Sequence, residues 1–150
     1  MGNLSVGDLA PDFTLDSTRG EVTLSKLLAA GDVLLVFYPG DDTPVCTQQL
    51  CDYAENLSVF SDLGVQVLGI NPQPIGSHEK FAAKYDLPFA LVSDPDKSVC
   101  KAYDAVGMFG MTKRALILVG SNGLVRWTRS DLPIFHRSAA ELQGFISNLA

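Results

Sequence analysis

The sequence is short of the residues that announce metal, membrane or nucleic-acid chemistry. Its three cysteines and two histidines include no C-x-x-C, and Cys46, Cys51, Cys100, His78 and His136 show no recognisable zinc-ligand spacing. No metal or other cofactor is therefore expected. No apolar run approaches the roughly 18 residues of a membrane span. The 11 Lys and Arg form no basic run and are outnumbered by 17 Asp and Glu; a net charge of −6 argues against a nucleic-acid partner. The opening stretch MGNLSVGDLA lacks a basic segment followed by an apolar one, so no export signal is read and the expected compartment is the cytoplasm. An odd number of cysteines, in a chain too large to need disulfide staples, then reads as reduced thiols that are buried or reactive. No repeat, low-complexity tract or linker divides the chain, and its 150 residues suit one domain, 1–150.

What is present is a regular alternation of strands and helices. Phe13-Thr14-Leu15 and Val22-Thr23-Leu24 flank the turn Ser17–Gly20 and predict a half-buried hairpin, after which Ser25 is placed to cap a short helix. Val33–Phe37 is apolar at every position, as in a strand covered on both faces. A helix is predicted from Pro44 to about Ser61, with Leu50, Tyr53, Ala54, Leu57 and Phe60 as its inner stripe and Gly64 as its stop. Val65–Ile70 (strand), Ser77–Tyr85 (helix), Phe89–Val92 (strand) and a helix opened by Asp94-Pro95-Asp96 follow. Ala115–Val119 and Leu124–Thr128 are joined by Asn122-Gly123, a strong hairpin cue. Ser138 with Glu141 predicts a capping box for the last helix. Helical crossovers imply parallel strands early, and the hairpin implies an antiparallel pair late. The fold class is therefore α/β: a thioredoxin-like fold, its central mixed β-sheet flanked by helices, with an N-terminal hairpin extension.

The chemistry concentrates in Pro39–Cys51, PGDDTPVCTQQLC. Thr43 is a preferred N-cap type and Pro44 suits the first helical position, which sets Cys46 third in the helix, among backbone N–H groups and the positive end of the helix dipole. At 100° per residue Cys46 lies about 40° from Leu50, on the inner side, whereas Cys51 lies about 140° from Cys46, on the flank. The pattern is that of a reactive thiol.

Three of these residues fit a known motif. Pro39, Thr43 and Cys46 match Pro-x-x-x-Thr-x-x-Cys, Cys51 matches a second cysteine five residues on, and Arg114 matches an arginine that precedes an apolar strand. Ser77–Phe81, Leu87-Pro88-Phe89 and Ser93-Asp94-Pro95 extend the match, so that the chain resembles the peroxiredoxins, specifically the bacterioferritin-comigratory or Q-type subfamily, from Gly7 to the last helix. The resemblance implies an atypical 2-Cys, thioredoxin-dependent peroxidase acting on hydrogen peroxide and organic hydroperoxides. Cys46 would become a sulfenic acid, Cys51 would resolve it as an intramolecular disulfide, and a thioredoxin- or glutaredoxin-like partner would reduce that disulfide; the chain would be a monomer. Thr43 and Arg114 would donate to the peroxide, and Pro39 would shield the sulfur.

Four positions depart from the subfamily pattern: Val45 for Gly, Gln49 for Glu, Asn71-Pro72-Gln73 for Ser-Pro-Asp, and Gly120 for Asp. Gln49 matters most, because the subfamily's Glu orients the arginine and a charge-assisted hydrogen bond is roughly twice as strong as a neutral one.

Donors to the peroxide carry more of the rate than acidity does. Lowering a thiol from about 8.5 to about 6 raises its thiolate fraction at pH 7 roughly 30-fold. Lost nucleophilicity takes back about tenfold, on a Brønsted slope near 0.45. Residues five apart on a helix have Cα atoms about 8 to 9 Å apart, against a disulfide limit of about 7 Å. If Cys46 and Cys51 bridge, the helix start must unwind.

Two other classes remain. A thioredoxin-type disulfide oxidoreductase wants a second sulfur at Gln49, in Cys46-Thr47-Gln48-Gln49. A redox-responsive binding protein is compatible with Cys46 but has no feature of its own. Cys100 reads as core packing, and His78 and His136 as structural or solvated residues without an acid–base partner.

Overall fold

Strand β3 (Asp32–Phe37) runs through the middle of the computed structural model, which describes residues 4–131 and 136–149. It pairs in parallel with β4 (Val65–Asn71) and antiparallel with β6 (Arg114–Val119). Beyond β4 lie β5 (Ala90–Ser93) and then the hairpin of β1 (Thr14–Ser17) and β2 (Gly20–Thr23). Beyond β6 lies β7 (Val125–Asp131), giving one mixed seven-stranded sheet in the order β2-β1-β5-β4-β3-β6-β7. The N-terminal hairpin is antiparallel to β5, through Ser17 opposite Val92.

The unbroken apolar run of β3 serves two cores. Its residues alternate between faces, so Val33, Leu35 and Phe37 join a cluster with Phe13, Leu24, Leu28, Ile70 and Cys100. Leu34 and Val36 point the other way, with Tyr38, into a cluster containing Cys46, Leu50, Tyr53, Phe60, Phe81 and Leu142. Each fully buried aliphatic side chain in this strand contributes roughly 1.5–3 kcal/mol. The second face is covered by α2 (Pro44–Glu55), α3 (Leu57–Asp62), α4 (Ile75–Tyr85) and α6 (Ala139–Ser147). The first carries the short α1 (Leu24–Leu27) and α5 (Ser98–Ala102). Among the described residues, no helix is long and apolar enough to cross a membrane.

Several expectations need correction. The helix predicted from Pro44 to Ser61 is two helices. Asn56 breaks it at φ −113° and ψ 28°, with its side-chain amide donating to both the carbonyl and the carboxylate of Asp52. A short amide side chain competing for a backbone carbonyl is the reason Asn disfavours helix interiors. Leu57 and Phe60 nevertheless reach the same core, so the hydrophobic stripe continues across the break. Ser25 does not cap α1. The cap position falls on Thr23, and the Ser25 N–H and hydroxyl both donate to Asp12. The helix after Asp94-Pro95-Asp96 starts only at Ser98, because Asp94 reaches forward to accept from the Val99 and Cys100 N–H groups. The capping box at Ser138 and Glu141 is present. The turn at Asn122-Gly123 also forms, with Gly123 at φ +85° and the Gly120 N–H donating to the Leu124 carbonyl.

Candidate active site

The order of the strands assembles the site. The β3 backbone ends at Phe37, opposite Ala115 of β6, so Arg114 stands beside the place where the chain leaves the sheet for α2. Residues 46 and 114 are thus neighbours although 68 positions apart.

Thr43 holds the cap position of α2 in extended geometry, φ −90° and ψ 153°, and its carbonyl accepts the Thr47 N–H at 2.8 Å. Its exposed hydroxyl does not cap. It turns back and donates to the Gly40 carbonyl at 3.0 Å, tightening the loop instead. Pro44 opens the helix, and Cys46 follows at the third position as predicted. Cys46 is 1% exposed, with its thiol toward the sheet. Pro39 is half-buried where the chain leaves Tyr38.

Arg114 is 2% exposed and forks between two partners. Its Nη2 donates to Cys46 Sγ at 3.3 Å and its Nη1 to Gln49 Oε1 at 2.5 Å. Cys46 and Gln49 lie three apart on the inner face of α2, the spacing that brings side chains together on a helix.

The structure also shows what a neutral residue at 49 achieves. Gln49 Nε2 donates to Tyr53 Oη at 3.2 Å, and Tyr53 Oη donates to the Arg137 carbonyl at 2.6 Å. Burial raises the Tyr53 phenol well above its ordinary range, so it acts here as a neutral hydroxyl. An amide serves both ends, its oxygen toward Arg114 and its nitrogen toward Tyr53. A carboxylate would set an oxygen against a phenol oxygen whose proton is already committed. Gln49→Glu is therefore expected to destabilise the protein by about 1–3 kcal/mol, read as a lower Tm, despite the stronger pairing with Arg114. Most of that loss should vanish in a Tyr53→Phe background, where no phenol oxygen remains. A loss unchanged by Tyr53→Phe would refute the account.

The other thiols are unlike Cys46. Cys51 is half-buried on the helix flank, and burial, with Glu55 adding to it, raises its pKa above the ordinary thiol value. It therefore rests as a thiol near neutrality. Cys51 and Cys46 share the uninterrupted α2, leaving their Cα atoms about 8 to 9 Å apart by helix geometry. Cys100 is buried, and its thiol is pushed up to about 12 by burial and by Asp94. It packs in the core on the opposite face of the sheet from Cys46.

The structure corrects the expectation for His78. It is fully buried and has an acid–base partner, Asp41 Oδ2, 2.7 Å from its Nδ1. Asp41 is a neighbour of Pro39 and Thr43 in the site loop, yet 37 positions from His78. The sequence signal was the lone polar position His78 on the inner face of α4, next to Phe81. His136 lies beside Arg137, half-buried.

Known proteins place this geometry in context. The peroxiredoxin Q of Xanthomonas campestris superposes with a TM-score of 0.81 at 28% identity, covering 97% of this chain and 94% of that one. A protein of Coxiella burnetii named peroxiredoxin bcp is 38% identical over 130 residues, 82% of this chain and 86% of that protein. The chloroplastic peroxiredoxin Q of Arabidopsis thaliana is 38% identical over 128 residues, 84% of this chain but 59% of that longer protein. The model of the AhpC/TSA family matches residues 6–128, and on that match, together with the Coxiella relative, the chain belongs to the AhpC/TSA family, the peroxiredoxins.

Proposed function

We propose that the chain works as a single-domain, monomeric, cytoplasmic peroxidase in which Cys46 is the nucleophile. The observation that carries this reading is the Arg114 guanidinium donating to Cys46 Sγ at 3.3 Å, with that sulfur in the first turn of α2. The Cys46 thiolate attacks one oxygen of hydrogen peroxide or an organic hydroperoxide. An S–O bond forms, the O–O bond breaks, and the departing hydroxide or alkoxide takes a proton and leaves as water or alcohol. Sulfur loses two electrons and becomes a sulfenic acid. Negative charge moves onto the peroxide oxygens during this step, and fixed donors beside that charge lower its barrier most. Arg114 supplies such donors. Thr43 supplies another by exchanging its Gly40 partner for a peroxide oxygen, and Pro39 keeps water from the sulfur.

Cys51 then attacks the sulfenic sulfur as a thiolate. The S–S bond forms, hydroxide leaves, and a thioredoxin- or glutaredoxin-like dithiol restores both thiols by exchange. The span across α2 exceeds a disulfide's reach of about 7 Å, so the first turns of the helix unwind for this step.

The test is peptide mapping by mass spectrometry after one equivalent of hydrogen peroxide, with helical circular dichroism on the same sample. A Cys46–Cys51 disulfide with reduced helicity is expected, followed by peroxide turnover when a thioredoxin system is added. An unoxidised Cys46 would overturn the peroxidase assignment. Bridging to Cys100, or a stable sulfenic acid, would overturn the resolution step alone.

A further inference from the structure

The loop Gly40–Thr43 carries the site residues into α2, and it is bound elsewhere, to α4 and to Gln73 in the connection that leads from β4 to α4. Asp41 is the centre of that attachment. Tyr38 Oη donates to its Oδ1 at 2.6 Å, Ser77 Oγ to its Oδ2 at 2.6 Å, and His78 Nδ1 lies 2.7 Å from the same Oδ2. The Asp41 N–H donates to Gln73 Oε1 at 2.5 Å, and Gln73 is held in turn by Asn71 and Ser77. The next residue, Asp42, has a left-handed backbone, φ +56°, and accepts from Lys84 Nζ and Tyr85 Oη, both at 2.8 Å. A left-handed non-glycine residue is disfavoured unless its surroundings hold it.

The His78 imidazole is enclosed between two acceptors. Nε2 faces the Val92 carbonyl at 3.1 Å, and Nδ1 faces the Asp41 carboxylate, which also accepts from the Tyr38 and Ser77 hydroxyls. Burial alone would raise the Asp41 pKa; hydrogen bonds from His78, Ser77 and Tyr38 outweigh it and bring the carboxyl below its ordinary value. The neighbouring groups are Tyr38, the residue after β3, Ser77 from α4 and the Val92 carbonyl from β5. Asp42, Lys80 and Lys84 line the cleft of about 380 Å³ that Asp41 borders.

We propose that Asp41 and His78 are positioning residues: their buried pair holds the Gly40–Thr43 loop, and through it the first turn of α2, where Cys46 meets Arg114. Parting of the pair frees the loop and lets the helix start open. The pair touches neither Cys46 nor Arg114 and acts on them through the backbone of residues 41–46. The loop position is needed for peroxide attack and must be given up for a Cys46–Cys51 bridge. Weakening the pair therefore moves the two steps in opposite directions, which general destabilisation does not do. The second of those effects rests on the resolution step proposed above; the first does not.

The test uses Asp41→Asn, which keeps the shape and removes the charge, and Ser77→Ala, which removes one donor and leaves the pair. In the reduced protein, amide hydrogen exchange across Val45–Gln49 should quicken about ten- to hundredfold in Asp41→Asn, the range for loss of a charged hydrogen bond. Exchange in β3 and β6 should stay at the wild-type rate. Oxidation of Cys46 by hydrogen peroxide should slow by a similar factor, and conversion of sulfenic acid to disulfide should accelerate. Ser77→Ala should shift all three readouts the same way by a smaller factor. Wild-type exchange and wild-type oxidation in both variants overturn the proposal, as they do in Ser77→Ala alone should Asp41→Asn not fold. Faster local exchange and slower oxidation, with no Cys46–Cys51 disulfide in the wild type, support the positioning role and remove the resolution step alone.

Discussion

Cys46→Ser is expected to bring peroxide turnover down to the uncatalysed background while leaving the fold intact. The reason is electronic as well as nucleophilic. In the proposed reaction the sulfur gives up two electrons and holds an oxygen atom as a sulfenic acid, a state with no counterpart in serine chemistry. The substitution costs little in structure, because the shorter hydroxyl still accepts the Arg114 N–H in a pocket where Cys46 is 1% exposed. A near-normal melting profile with no turnover is the predicted pair of results. Cys51→Ser makes the contrast. It should consume one equivalent of peroxide and stop, with the sulfenic acid trapped at Cys46. If Cys46→Ser keeps wild-type turnover, the nucleophile lies elsewhere.

The second large effect belongs to Arg114. Arg114→Met fills much of the same volume without donors, and second-order oxidation of Cys46 should fall by about 10²- to 10³-fold, the usual loss for a donor aimed at developing negative charge. Arg114→Lys should recover part of that rate at most. Lysine is a single charged point on a flexible stem and cannot reproduce a fork that serves Cys46 and Gln49 together. The methionine variant also strands Gln49 Oε1, a buried acceptor, at a cost of about 1–3 kcal/mol in stability. Rate and Tm should therefore fall together in Arg114→Met. A wild-type oxidation rate in that variant would remove Arg114 from the site.

Arg114 was singled out by the family resemblance, as an arginine before the apolar run Ala115–Val119, and the structure makes it the first residue of β6. The place of Cys46 was readable because its signals are local: Thr43-Pro44 sets the helix start, and the helix start sets the position of Cys46. The fold class was readable for the same reason, since an all-apolar β3 and the crossover helices leave few arrangements. The pairing of Asp41 with His78 was not readable. It requires knowing that α4 crosses over the loop and that β5 presents the Val92 carbonyl to the other side of the ring. The direction of the Thr43 hydroxyl was hidden as well, because a capping bond and a bond back to Gly40 are both open to a threonine at that position. The use of Gln49 depended on Tyr53 and the Arg137 carbonyl, the second of them 88 positions away. The break at Asn56 escaped because periodicity registers which side chains face the core and is blind to one interrupted backbone turn.

That break, together with the anchorage of Asp52, sets the length of a tether. Asp52 Oδ2 accepts the Ala139 N–H at 2.7 Å, and its carbonyl and Oδ1 hold Asn56, so the far end of α2 is moored to α6 one residue past Cys51. In the proposed resolution step, fraying that starts at Pro44 would run as far as Cys51 and halt there. Cys51 would stay near its folded place as a fixed target, and Cys46 would travel on the leash of four residues, 47–50, between them. Uncoiled, such a leash extends up to about 3.3–3.6 Å per residue and also folds back on itself, which puts sulfur–sulfur contact within its sweep. α3 and the core beneath it need not take part. A cysteine one turn beyond Cys51 would sit behind the mooring, out of reach of the same local motion.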